Sequence, residues 1–248
     1  MNKEEVVCLE RRSRDLRKKV LDLSVETGEA HLGGCFSEIE VLVSLYDRVL
    51  NHDDKFILSK GHCSYPLYFF LREKGYNPKI ATHPDIDLEN GICCTTGSLG
   101  HGLPLGVGMA MARKLKQQPG KIYVLMGDGE CQEGTTWESA LIAAQYNLNN
   151  LHVIVDNNRV QGLDVTKNVL ALGSLADKFG AFGLDAVSID GHSFEDLIPA
   201  MSRDNLRPQV TIANTIKGRG VSYMEGSPMW HARVPNREEI EIAYGELA

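Results

Sequence analysis

Lys121-Ile-Tyr-Val-Leu-Met-Gly-Asp-Gly129 and, one helical stretch later, Leu151-His-Val-Ile-Val-Asp-Asn-Asn158 decide the fold. Each begins with a short, nearly continuous apolar run and ends in glycine or asparagine, as a strand buried on both faces does. Between them, Thr135 to Tyr146 reads as a helix. Strand, helix and strand within about 35 residues form a βαβ unit, and hence a parallel pair joined by a crossover. Phe182 to Asp190 and Gln209 to Asn214 read as further strands, each joined through helical stretches. The alternation predicts an α/β domain with a doubly wound, mostly parallel sheet flanked by helices.

Working outward, residues 3 to 26 place Val6, Leu9, Leu16, Val20 and Leu23 near helical spacing among charged residues. Asn2 with Glu5 resembles a capping box, and Gly28 supplies the stop. A second helix is expected after Ser37, carrying Ile39, Val41, Leu42 and Leu45. Residues 217 to 235, rich in Gly, Ser and Pro, read as an ordered loop, and Arg237 to Leu247 as a short closing helix. With no repeat or linker-like tract, residues 1–248 read as a single domain.

The bulk numbers narrow the partners. A net charge of -7 advertises no basic face for nucleic acid or an anionic membrane. No apolar run approaches the roughly 20 residues that span a bilayer, and Met1-Asn-Lys-Glu-Glu5 lacks the apolar stretch of a secretory signal. The cysteines at 8, 35, 63, 93, 94 and 131 contain no C-x-x-C pair, so reduced thiols and a cytoplasmic location are the simplest reading.

In an open parallel sheet, ligands bind beyond the carboxyl ends of the strands. Gly127 and Gly129 let the backbone turn and approach a bulky anion, and amides opening the next helix can face a phosphate. Asp128 ends one strand and Asp156-Asn157-Asn158 the next, so a carboxylate and a carboxamide converge from adjacent strand ends. That is an oxygen-rich site for Mg²⁺ or Ca²⁺. Alone, Gly-Asp-Gly is better read as an ordinary strand-to-helix turn. The joint placement, one crossover apart, favours the site.

Gly127-Asp128-Gly129, then about thirty residues, then Asn157-Asn158 resembles the diphosphate-and-metal motif of thiamine-diphosphate enzymes. Further stretches resemble transketolase specifically: His31-Leu-Gly-Gly34, Ile57-Leu-Ser-Lys-Gly-His62, Thr96-Gly-Ser-Leu-Gly-His-Gly102, Glu130-Cys-Gln-Glu-Gly134, and Ile216-Lys-Gly-Arg-Gly-Val-Ser followed by His231. The resemblance runs in order along essentially the whole chain and implies the thiamine-diphosphate-binding fold.

It also implies roles. Asp128 and Asn158 would bind the divalent metal by their side chains and Val160 by its carbonyl. Gly127 and Gly129 would border the diphosphate, Gly129 through its amide, with His62 and His231 beside it. Gly97 and Leu99 would contact the aminopyrimidine. His31 and His83 would hydrogen-bond donor hydroxyls and move protons, chemistry that suits histidine near neutral pH. Glu133 and Glu138 would sit at a subunit contact, in a network reaching a partner glutamate, although glutamates at a helix start also serve capping. His101 stands where the family often has glutamine, either as a polar cofactor contact or as packing. Leu32 replaces the usual proline, so a less rigid loop is expected there. His52, His152 and His192 read as structural or surface residues.

A full transketolase carries a second α/β domain that binds the aminopyrimidine, and no stretch after Pro228 is long enough to encode it. The resemblance therefore implies a split enzyme, a heterotetramer with a C-terminal transketolase subunit. It would transfer a two-carbon ketol unit from a ketose, such as a sugar phosphate, to an aldose. The competing readings are another thiamine-diphosphate enzyme, such as a dehydrogenase α-subunit or a deoxyxylulose-phosphate synthase, and a non-catalytic binding protein. Nothing supports a nucleotide-binding Rossmann domain, since no G-x-G-x-x-G opens a helix after an early strand.

Overall fold

The two quoted runs are neighbouring parallel strands in the computed structural model, which describes residues 1–29 and 31–248. In chain order the elements begin with α1 (Lys3–Thr27), α2 (Leu32–Ser37) and α3 (Ile39–Ser44), which runs into a wider helical turn, Leu45–Val49. Then come β1 (Lys55–Leu58), α4 (Tyr65–Glu73), α5 (Gly102–Leu115), β2 (Ile122–Gly127), α6 (Gly134–Gln145) and β3 (Leu151–Asn157). The chain continues with α7 (Thr166–Val169), α8 (Leu175–Ala181), β4 (Asp185–Asp190), α9 (Phe194–Ser202), β5 (Gln209–Asn214) and α10 (Arg237–Glu246). The five strands form one sheet in the order β1-β2-β3-β5-β4, and every pairing is parallel.

Strand periodicity explains the continuous apolar runs. Alternate residues point to opposite faces, and both faces are covered. Phe56, Leu58, Tyr123, Leu125, Ile154 and Ala213 join the core built with α1, α3, α4 and α9. Ile57, Val124, Met126, Val153, Val155 and Ile212 join the core built with α5, α6 and α8. The central strands must therefore be apolar at every position. Edge strand β4 is only partly covered, and its sequence is correspondingly mixed.

Most predicted elements hold to within one or two residues. The capping box forms as read, with Asn2 Oδ1 accepting from Glu5 N at 2.8 Å and Asn2 N donating to Glu5 Oε2 at 2.9 Å. Gly28 closes α1 in the left-handed region, φ 68°. Two expectations need correcting. The helix expected after Ser37 forms as α3, but a further helix, α2, precedes it from Leu32. His31-Leu-Gly-Gly34 is thus the start of a helix and not a loose loop, and Leu32 is fully buried. Its glycines serve close packing: a Cβ on Gly33 would lie 2.7 Å from the Trp230 carbonyl oxygen, and one on Gly34 would collide with Cys63 Sγ. The strand expected from Phe182 begins at Asp185, because Gly183 turns the chain at φ 93° and Leu184 packs into the core first.

Candidate active site at the carboxyl edge of the sheet

β2 ends at Gly127, which delivers Asp128 into a buried position. One of its carboxylate oxygens accepts from Thr166 Oγ1 at 2.7 Å and the other from Gly129 N at 3.0 Å. Burial raises its pKa, so the carboxylate gains from any cation that comes to it. β3 delivers Asn158, whose Oδ1 accepts from Val160 N at 3.1 Å while Nδ2 donates to Asp156 Oδ2 at 3.1 Å. The Val160 carbonyl accepts from Lys217 Nζ at 3.0 Å. Asp128, Asn158 and Val160, the three residues of the oxygen set expected from sequence, border one cavity.

Asp156, fully buried, fixes this arrangement from below. It accepts from Ser37 Oγ at 2.6 Å, from Asn158 Nδ2, from Thr215 Oγ1 and from Lys60 Nζ. Lys60 also donates to the Gly34 carbonyl at 3.0 Å and lies 3.1 Å from Glu38 Oε2. Burial opposes the Lys60 charge, but attraction by Asp156, Cys63 and Glu38 prevails and holds its pKa well above the ordinary lysine value. Burial drives the Glu38 pKa well up.

Glu130 ties the loops together. Its Oε1 accepts from Ser59 Oγ at 2.6 Å and Gly100 N at 3.0 Å, and its Oε2 from Gly127 N at 2.9 Å. One carboxylate thus joins the segments after β1, before α5 and after β2. Burial pushes its pKa up, against these bonds that favour the charged form. Glu130→Ala orphans two backbone donors at about 1–3 kcal/mol each. A loss of about 2–5 kcal/mol is expected, read by calorimetry as a melting point lower by roughly 5–15 °C. A shift under about 2 °C would show that the clamp contributes little.

Four histidines converge on the same cavity. Ring centroids lie 5.4 Å apart for His31 and His62, 5.3 Å for His31 and His231, 5.3 Å for His62 and His231, and 5.9 Å for His31 and His83. His83 comes from an exposed loop and backs onto Gly97. The φ of 142° at Gly97, and the 2.7 Å between a Cβ there and the His83 ring, both require glycine. Burial lowers the His31 pKa. Burial, then Lys217, pushes His231 down to about 3, so its imidazole is neutral at neutral pH. Lys217 Nζ lies 2.9 Å from His231 Nδ1, which therefore accepts, leaving the ring proton on Nε2. Burial foremost pushes Lys217 itself down to about 8.

The cavity measures about 560 Å³ and is bordered by His31, His62, His83, His231, Gly97, Leu99, Gly127, Asp128, Gly129, Asn158 and Val160, the expected cofactor, metal and histidine positions. Glu133 and Glu138 do not border it. Both are exposed near the start of α6. His101 also lies outside, its Nδ1 3.0 Å from the Leu99 carbonyl oxygen before α5. His152 is buried inside the sheet against Thr211, and His52 is exposed. Lys60, Lys217 and Gln161 border the cavity without having been singled out from sequence. Both lysines stand inside quoted motifs, and burial of a lysine is the signal that only structure adds. A larger cavity of about 840 Å³ lies at the opposite, amino-terminal edge around Arg48, Lys121 and Asp204. It gathers no histidines, so size alone does not mark the site.

The residues present fit an anionic cofactor and a cation. His31 Nδ1 and Gln161 Nε2, both in residues bordering the cavity, are buried without hydrogen-bond partners. Lys60 and Lys217 supply positive charge to its wall. Among the described residues no group of three or more His, Cys, Asp or Glu side chains gathers to hold a metal. A cation at Asp128 would rest on one carboxylate, a carboxamide and a carbonyl, and would need oxygens from its ligand. Among the described residues no helix is long and apolar enough to cross a membrane, and all six cysteines are free thiols.

Comparison with known proteins agrees with this geometry. Residues 12–246 match the family described as transketolase, thiamine diphosphate binding domain. The chain is 40% identical to an apulose-4-phosphate transketolase subunit of Actinobacillus succinogenes, over 96% of this chain and 95% of that one. It is 35% identical to a 6-deoxy-6-sulfo-D-fructose transketolase subunit of a Clostridium species, over 98% of each chain. Among solved structures, transketolase from Campylobacter jejuni superposes with a TM-score of 0.87 at 27% identity, covering 100% of this chain. That of Leishmania mexicana, at 22% identity, shares the fold with a TM-score of 0.89 over 96% of this chain. The chain spans only 43% and 41% of those two structures' chains. With the family's motifs walling one cavity and the family match running nearly end to end, this chain belongs to the transketolase family and carries its thiamine diphosphate binding domain.

Proposed function

We propose that the chain is the diphosphate-binding subunit of a two-polypeptide transketolase, which moves a two-carbon ketol unit from a ketose phosphate or related anionic ketose to an aldose acceptor. Thiamine diphosphate and a divalent cation, Mg²⁺ or Ca²⁺, serve as cofactors. The observation that carries this reading is the convergence of four histidines with Asp128, Asn158 and Val160 on one cavity. When bound, thiamine diphosphate supplies the nucleophilic carbon for covalent catalysis. Asp128, Asn158 and the Val160 carbonyl hold the cation. Gly127, Gly129, His62 and His231 border the diphosphate, and Gly97 and Leu99 pack on the aminopyrimidine. His31 and His83 bind donor hydroxyls and move protons. Neutral imidazoles suit that role because each ring can donate from one nitrogen and accept at the other.

A partner is supported by the surface. At the cavity, Leu163 is 86% exposed and Leu99 39% exposed, an unusual setting for leucines. On α5 and α6, two helices that pack together, Leu105, Leu115, Leu141 and Ile142 are exposed, as is Tyr146 just past the end of α6. Glu133 and Glu138 stand at the start of that same α6 surface, where partner carboxylates would meet them. This face would meet the pyrimidine-binding subunit, in a cytoplasmic heterotetramer. The two relatives named above put apulose-4-phosphate and 6-deoxy-6-sulfo-D-fructose first in a substrate panel.

The test is co-expression with a chain carrying a C-terminal transketolase half, then assay of two-carbon transfer with thiamine diphosphate and Mg²⁺. Activity is expected from the pair and none from this chain alone. Turnover by the isolated chain would overturn the two-polypeptide reading, and tight cofactor binding without ketol transfer would point to a different thiamine-diphosphate reaction.

A further inference from the structure

Lys217 is pinned on both flanks. Gly218 N donates to the Gly33 carbonyl at 2.8 Å, and Thr215 Oγ1 donates to buried Asp156. Between these anchors, Ile216 N donates to a side chain, His192 Nε2, at 2.9 Å. A backbone N–H can only donate, so Nε2 carries the lone pair and the ring proton sits on Nδ1. Nδ1 lies 3.0 Å from Glu40 Oε2 and donates to it. Glu40 is gripped by Arg17, whose Nη1 and Nη2 each reach a carboxylate oxygen at 2.7 Å. Arg17 also donates to the Phe36 carbonyl at 2.9 Å. Arg17 and Glu40 are buried, and the His192 side chain is only 11% exposed. A relay of hydrogen bonds thus runs from α1 through α3 and the turn after β4 to the backbone amide of Ile216, the residue before Lys217.

We propose that His192 is a positioning residue for the cofactor site: it sets the backbone at Ile216, and so the place of the Lys217 ammonium against the Val160 carbonyl and His231. The inference rests on the cofactor reading above. A rival role is general stabilisation of the fold, and two substitutions of similar polarity separate the two. In His192→Gln, the side-chain oxygen reaches the place of Nε2 and can still accept from Ile216. In His192→Asn, the shorter side chain can still meet Glu40 but cannot reach Ile216.

Hydrogen exchange at the Ile216 amide would be followed in the full chain, and thiamine diphosphate affinity and kcat in the assembled pair. For His192→Asn, exchange at Ile216 should rise about tenfold and cofactor affinity fall about tenfold, the size of one lost hydrogen bond. Its kcat at saturating cofactor should stay within about twofold. His192→Gln should stay within about threefold of wild type in every readout. Equal behaviour of the two variants, or faster exchange across the whole chain with no local effect at Ile216, would overturn the proposal. If the wild-type pair binds no thiamine diphosphate, the cofactor reading fails and the positioning role with it, while exchange at Ile216 still reports whether the tether exists.

Discussion

Asp156→Ala is expected to cost this chain about 3 kcal/mol of stability, a fall in melting temperature of roughly 6–12 °C. The substitution takes the closest carboxylate from a lysine that is 1% exposed, leaves the Thr215 hydroxyl without its acceptor, and removes one of two acceptors each from Ser37 and Asn158. Breaking a buried pair by removing one partner costs about 3–5 kcal/mol. The lower end applies here because Glu38, 3.1 Å from Lys60 Nζ, can ionise and become the counter-charge. That compensation is itself testable. Glu38→Gln alone should be mild, and the double substitution should exceed the sum of the singles by at least about 1 kcal/mol. Denaturant melts of the four proteins settle it, and strict additivity would mean that Lys60, Asp156 and Glu38 are not coupled.

Asp128→Ala should do the reverse, abolishing function while sparing the fold. In the assembled pair, cation-dependent affinity for thiamine diphosphate should drop by at least about 100-fold, close to 2.7 kcal/mol. Removing a carboxylate whose pKa is raised by burial relieves its desolvation cost. The lost bonds from Thr166 and Gly129 offset that gain, so stability should stay within about 1 kcal/mol. Titration calorimetry with and without Mg²⁺ measures the first quantity and thermal melts the second. Unchanged affinity would remove Asp128 from the metal assignment.

The strands walling the site were legible because burial on both faces leaves an unbroken apolar run, and β2, β3 and β5 emerged almost to the residue. β1 was missed: four residues, Lys55–Leu58, are too few to show a period, and the segment drew notice only as part of a motif. Helix α5 was hidden by Gly102, Pro104, Gly106 and Gly108, residues that argue against a helix locally. The structure shows why one of them is tolerated: a Cβ on Gly106 would strike Val124 on β2, so the glycine lets helix and sheet approach. Within the histidine cluster, His31 and His62 lie in quoted motifs and His231 follows one, so they could be read, whereas the surroundings of His83 match the family least. The cluster's supports could not be read. Lys60, Asp156, Glu38 and Ser37 come from segments up to 119 residues apart in contact, and no local pattern announces such a meeting. His192 read as structural, and only its contact with the Ile216 amide shows what it supports.

If the proposed partner closes the mouth edged by Leu99 and Leu163, cofactor and partner would be mutual effectors. If the second polypeptide supplies the missing wall, whatever factor it adds to cofactor affinity must appear, equal in size, in the affinity of the two polypeptides for each other. Thiamine supply would then govern how much of the complex exists as well as how much of it is charged. In such an enzyme a shortage of the vitamin would shift the balance toward separate polypeptides by that same factor.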